Sequence, residues 1–385
     1  MRRFESTEGA SRTFWEIDQK GSSFTERYGS VAGSGQSRTS TFPSADEAMQ
    51  AMLSLIREKM ALGYREGAAG PRRTVHRPAH YSNLEHTAHF RGCPVREFIP
   101  EVGLQHLERT VYSVRTDALD GEAAFLERLD ALLSDAQVGQ LKGLVIGNWF
   151  GQTNESPPIE AMDRLIAAKE RLSSLRGLFV GDVIQEEADI SMLHQGELTL
   201  LIQALPALEE LVVRGGRGLR LPQLVHPGLR TLIIQSGGLS SVCVHDLMTS
   251  QLPNLERVAL WLGAEGYGAD FAVEDLAAAC NGEIWPSLEY LGLMDSDQAD
   301  GIAAAVTAGA MIRRILALDL SMGTLGDEGG RDLFSCAAVR SLSFLNLRHH
   351  YMSRSLAASF SKLGIEVDVS DRELDDDLRT CEVSE

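Results

Sequence analysis

Apolar residues return in one fixed pattern through the last two-thirds of this chain. The pattern is anchor-x-x-anchor-x-anchor, with Leu, Ile or Val at each anchor. It reads Leu141/Leu144/Ile146, Leu175/Leu178/Val180, Leu208/Leu211/Val213, Leu229/Leu232/Ile234, Leu255/Val258/Leu260, Leu288/Leu291/Leu293, Ile315/Leu318/Leu320 and Leu342/Leu345/Leu347. Successive first anchors are 34, 33, 21, 26, 33, 27 and 27 residues apart. A short motif at such intervals predicts a solenoid, in which each unit buries its apolar edge only by stacking on its neighbours. Each triplet is then a strand. Residues 159–172, 193–205, 273–280, 301–312 and 356–363 leave room for helices between strands. A proline stands two residues before the first anchor at Pro206, Pro227, Pro253 and Pro286, where it blocks helix and sets an extended entry. Ile365 to Val369 reads as a final edge strand. Residues 81–140 read as a cap region for the open end of the array, with an amphipathic helix within 101–140 around Phe125, Leu129, Leu132 and Leu133.

The front of the chain follows a different pattern. Phe14 to Ile17 and Phe24 to Tyr28 read as short strands around a turn at Gly21, and Ser37 to Phe42 as a third. Ser44 and Glu47 form a capping box for a helix with Ala48, Met52, Leu55, Ile56 and Met60 on one face, ended by Gly63. Residues 1–66 are therefore expected to be a small sheet packed by one helix. Residues 67–80, GAAGPRRTVHRPAH, carry no apolar period and read as a linker. The solenoid is expected over 141–372, with an acidic, solvated tail over 373–385 that includes Asp375, Asp376 and Asp377.

Two resemblances follow from these segments. With the stretches GDVIQEEADI, RGGRGL, LWLGAEGYGAD, DLSMGTLGDEG and LRHHYMS, residues 88–372 resemble a family of bacterial cytosolic leucine-rich repeat proteins of unestablished activity, of the ribonuclease-inhibitor-like type. With FWEI, RYGSVAGSGQ, TFPSADEA and LIREKMALGY, residues 1–66 resemble a WGR domain, a module of DNA-dependent poly(ADP-ribose) polymerases and molybdate-regulator-like proteins. The resemblance implies nucleic-acid contact through the naming triplet. Here that triplet is Tyr28, Gly29 and Ser30, flanked by Arg27 and followed by Arg38. A tyrosine can stack on a base or sugar, but a serine supplies no bidentate phosphate contact. The fold class implied by both segments is α/β, a leucine-rich repeat solenoid preceded by a small α+β WGR-like domain.

Charge narrows the partners. The net charge is −18; residues 1–100 carry 14 Lys/Arg against 11 Asp/Glu, so the repeats hold the acidic excess. Such a surface repels nucleic acid and acidic membranes at long range. Residues 1–66 balance at 9 basic and 9 acidic groups. The five cysteines are dispersed without CxxC spacing and read as reduced thiols, which points to a cytoplasmic protein. No secretory leader or membrane span is expected.

Strand alternation sends the residues before, between and after the last two anchors to the concave side. The later repeats then present Arg214, Arg257, Trp261, Tyr290, Asp319 and Arg348, an aromatic and arginine group suited to gripping a partner on an exposed sheet. The post-strand glycines fit turn geometry better than anion binding. His349-His350 near Asp319, and Asp182 with Glu186 and Glu187 in a solvated loop, make poor metal or acid-base sites. No cofactor, metal or catalytic residue is expected. The chain reads as a non-catalytic cytosolic scaffold for a protein or peptide partner, with nucleic-acid binding through residues 1–66 as the alternative.

Overall fold

Second anchors stack rung upon rung. Leu144, Leu178, Leu211, Leu232, Val258, Leu291, Leu318 and Leu345 pair in unbroken parallel register. All are fully buried. A computed structural model of the protein describes every residue except 1, 7–12, 31–34, 68–74, 118, 152–155, 375–377 and 384–385. It divides the chain into two compact units, Met1–Thr74 and Val75–Glu385.

The first unit is a five-stranded antiparallel sheet. Its strands are β1 (Arg2–Ser6), β2 (Thr13–Lys20), β3 (Ser23–Ser30), β4 (Gln36–Thr41) and β5 (Arg65–Gly67), in the order β4-β3-β2-β1-β5. Helix α1 (Ala45–Ala61) starts at Ser44, whose hydroxyl accepts the Glu47 N–H at 3.1 Å. Its Met52 and Ile56 close on Phe4, Trp15, Ile17 and Phe24. The sequence missed β1 and β5, which join residues before and after the helix, so the unit runs past 66.

The second unit carries a twelve-stranded sheet in strict chain order. Its strands are β6 (His89–Phe90), β7 (Cys93–Glu97), β8 (Val111–Val114), β9 (Gly143–Ile146), β10 (Gly177–Val180), β11 (Glu210–Arg214), β12 (Thr231–Gln235), β13 (Arg257–Gly263), β14 (Tyr290–Ser296), β15 (Ala317–Asp319), β16 (Phe344–Asn346) and β17 (Glu366–Asp368). β6 and β7 form an antiparallel hairpin, and every later neighbour is parallel. The cap helix spans Gly121–Ser134 and buries Phe125, Leu129, Leu132 and Leu133 as its period predicts. Helices at Ser241–Met248 and Asp327–Ser335 escaped the sequence reading. Both are short, and the second contains Gly329 and Gly330, which mask a helical pattern.

Two expectations about exposure are overturned. First, the concave face is not open. The side chains beside the second and third anchors, Val145, Phe179, Val212, Ile233, Ala259, Trp261, Tyr290, Ala317 and Phe344, are buried in a second apolar cluster with Tyr81 and Phe90. The cover is the chain's own segment from Val75 to Phe90, laid across the strands as a strap. Residues 75–80, read as part of a linker, belong to this unit; 68–74 lie outside the described residues. Second, the tail folds back. The Thr380 N–H donates to the Tyr351 hydroxyl at 2.9 Å, and the Glu382 N–H to the Met322 carbonyl at 2.8 Å. Asp375 to Asp377 lie outside the described residues.

The tail latch makes one pH prediction. Asp295 is fully buried and accepts the Val383 N–H at 3.0 Å. Burial, and less so the nearby Glu382 charge, pushes its carboxyl well above the usual range. A raised carboxyl contributes stability below the unfolded value and loses it as pH rises through the folded one. Asp295→Asn keeps the acceptor and removes the titration. It should raise the melting temperature by several degrees at about pH 8, with the gain shrinking toward about pH 4. A gain that does not change between those pH values in thermal melts would contradict this account.

Candidate functional site

Four of the six concave residues expected from the sequence meet in one place. Trp261, Tyr290, Asp319 and Arg348 come from β13, β14, β15 and the loop after β16, and line a cavity of about 400 Å³. Its roof is Arg77 to His80 of the strap. Its floor adds Met294, Phe344 and Asn346. The size and the mix of apolar walls with a few polar groups are those of a ligand or side-chain pocket.

The polar groups are pinned. The Tyr290 hydroxyl donates to Asp319 at 2.5 Å, the Asn346 amide donates to the same oxygen at 2.9 Å, and Ser321 donates to the other oxygen through its N–H and hydroxyl at 3.0 and 2.6 Å. Burial first, then the Asp319 charge, raises the Tyr290 phenol well above its usual range. Arg348 binds Asp371 at 2.7 Å and both oxygens of Glu382. Trp261 faces the His80 ring, with centroids 5.7 Å apart. Burial, and then Arg348, lowers the His80 imidazole, which favours its neutral form.

The other two expected residues do not join this group. Arg214 is not a surface grip: it is fully buried beneath the strap. Its guanidinium donates to the Ser82 carbonyl at 2.7 Å, the Val183 carbonyl at 2.8 Å and Gln235 at 2.9 Å. Arg257 lies to one side, bonded to Thr231 at 2.9 Å and Glu256 at 3.0 Å.

Asp182 is likewise buried, not solvated as the sequence suggested. It accepts the Thr87 N–H at 3.1 Å and faces Arg115 at 3.4 Å, His86 at 3.7 Å and Arg214 at 3.9 Å. These fix the strap's far end. His350 is buried and satisfied on both nitrogens, by the Met352 N–H at 3.1 Å and the Val369 carbonyl at 3.2 Å. That arrangement serves no metal. Among the described residues no cluster of His, Cys, Asp and Glu is placed to hold a metal ion, and no helix is long and apolar enough to cross a membrane.

The strap left a mark in the sequence that periodicity does not carry. A Cβ at Gly177 would run into the side chains of Arg91 and Phe90. That glycine is on the concave side to let the strap lie close. Gly181, by contrast, is a turn residue at φ +91.

In the first unit the four expected nucleic-acid residues split between two faces. Residues opposite each other in an antiparallel pair share a face. Tyr28 lies opposite Trp15 and Arg38 opposite Glu26, on the side covered by α1. Tyr28 sits at the open end of that row, 41% exposed. Arg27, opposite Glu16, and Gly29, opposite Phe14, are on the other side. Arg27 lies 3.6 Å from Glu16 and 5.6 Å from the centre of the Phe14 ring.

Comparison with known proteins bears on the first unit by family and on the whole chain by fold. Residues 1–71 match the model of the WGR domain. The whole chain is similar to a protein from Bacteroides fragilis of known crystal structure, at 27% identity and a TM-score of 0.64, over 99% of each chain. An internalin from Listeria monocytogenes aligns over 69% of this chain and 74% of its own at 12% identity, with a TM-score of only 0.31. No curated protein matches. The first unit thus matches the WGR domain, and the second is a solenoid of leucine-rich strands laid down in chain order.

Proposed function

We propose that this protein is a non-catalytic interaction module whose solenoid holds a protein or peptide segment on the C-terminal half of its concave sheet. One observation carries the reading. Trp261, Tyr290, Asp319 and Arg348, from successive repeats, converge on a single cavity roofed by an exposed stretch of chain. Aromatic rings and an arginine around a recess are the composition of a binding hot spot. The same site is ill suited to chemistry. Asp319 is saturated by three neighbours, and among the described residues no cysteine lines the cavity.

A photo-crosslinking residue at Ala79, in the cavity roof, tests this in cells of the native host. It should give a discrete adduct that the same residue at Leu200, 66% exposed and outside the cavity lining, does not give. Identical adducts at both positions, or none at Ala79, would refute the assignment.

The WGR match and the exposed Tyr28 ring favour a second reading, nucleic-acid binding by residues 1–71. Its expected signature on nicked duplex is an affinity that falls steeply with salt and drops roughly tenfold on Tyr28→Ala, the loss of one stacked base. Binding by the full chain that ignores both changes would exclude it.

A further inference from the structure

The strap is held in two different ways, and the difference says what else the face can hold. From Tyr81 onward the anchors are buried: the Tyr81 ring packs 5.2 Å from Phe179, and its carbonyl accepts the Gln235 amide at 2.7 Å. Before Tyr81 the hold is loose. Among the described residues no backbone hydrogen bond ties 75–80 to the sheet. Arg77 pairs with Glu366 at 2.5 Å, but the two side chains are 43% and 63% exposed. An ion pair so open to water does little to hold the strap down.

The seat under this loose stretch has a definite chemistry. The Arg77 guanidinium lies 3.4 Å from the centre of the Phe344 ring, and His80 sits over Trp261. Phe344 and Trp261 belong to β16 and β13, three strand spacings or about 14 Å apart across the sheet, and Trp261 lies four residues, about 13 Å, further along its strand than Arg257, which is level with Phe344. The diagonal is about 19 Å; three residues of extended chain span about 10 Å of it, and the long Arg77 side chain at one end and the His80 ring at the other reach across the rest. Among the described residues, the carboxylates Asp319, Glu366, Asp368, Asp371 and Glu382 ring the seat, while Arg348 is paired with Asp371 and Glu382, and the buried Arg214 also bears on His80. Between these contacts the strap offers only Pro78 and Ala79, and the cavity of about 400 Å³ stays unfilled beneath them.

We infer that this face accepts an extended basic segment of another protein, with an arginine three residues ahead of a histidine or aromatic ring, and that residues 75–80 are an internal stand-in for it. The inference rests on the reading above and adds the partner's chemistry. The partner's arginine replaces Arg77 between Phe344 and Glu366, and its ring replaces His80 on Trp261. A larger side chain between them fills the space that Ala79 leaves. Displacement requires only that 75–80 lift, because the anchors from Tyr81 onward stay in place.

The test uses the full chain and a fluorescent peptide with the sequence of residues 75–80. Arg77→Gln with His80→Ala empties the seat through exposed residues and should tighten peptide binding about tenfold over wild type, since the competing stand-in no longer reduces the vacant fraction. Adding Glu366→Gln and Asp368→Asn should reverse most of that gain. A peptide with its arginine changed to glutamate should not bind. Equal binding of the glutamate peptide would overturn the basic specificity while leaving the Ala79 crosslink to judge partner binding itself. No peptide binding to the emptied chain, or its dimerisation instead, would overturn the inference in favour of a closed face or a second copy.

Discussion

Replacing Arg214 by methionine should lower the stability of the solenoid by about 3–5 kcal/mol, the range for stranding one charge of a buried pair. Methionine fills much of the arginine stem and returns none of its donors. Ser82, Val183 and Gln235 lose their hydrogen-bond partner, and Phe179 loses the guanidinium 5.3 Å from its centre. Burial pushes the Arg214 group down to about 10, still charged at neutral pH.

The pH dependence of this deficit has a fixed sign. Burial alone would raise the Asp182 carboxyl, but His86, Arg214, Arg115 and the Thr87 N–H together outweigh it and hold it below the usual range. A depressed carboxyl contributes stability above its unfolded value and loses it as pH falls through the folded value. Without Arg214 that contribution shrinks, so the deficit should be largest near neutrality and narrow in acid. Asp182→Asn in the same background should recover part of it. Urea unfolding at about pH 7 and about pH 4 measures both effects. A deficit under about 1 kcal/mol would mean that the pair does not secure the strap.

The array was legible because every repeat buries the same three positions, so Leu232 and Leu291 announce themselves by spacing alone. The strap was not, for a geometric reason. A segment crossing strands at a steep angle meets one rung after another, and its buried residues, Tyr81 and Phe90, fall at no fixed interval. The sequence did hold an indirect sign. Strands reading GLVI, GLFV, ELVV and TLII are apolar on both faces, as parallel strands covered on both sides are. A sheet with an open concave side would alternate. For the same reason Trp261 and Tyr290 could be assigned to the correct face but not to the correct environment. The WGR half shows the opposite case: its strands and cap were visible, while β1 and β5 depended on a long-range pairing with no local pattern of its own.

Phe179→Ala separates a covered face from an open one. On an exposed sheet, trimming one ring would change stability by under about 1 kcal/mol, as surface substitutions do. Here Phe179 is fully buried against Tyr81, against Phe90 at 6.2 Å and under Arg214, so the loss should be about 3–5 kcal/mol, the value for a core phenylalanine. Tyr81→Ala, from the strap side, should cost about 2–4 kcal/mol by the same reasoning. The two must not add: each empties the space the other needs, so the double variant should fall short of the sum by about 1 kcal/mol or more. Because each repeat leans mainly on its neighbours, the loss should appear first as faster amide exchange in β9, β10 and β11 rather than throughout the array. Additive effects, or exchange that rises equally at β15 and β16, would show that strap and sheet are not one core.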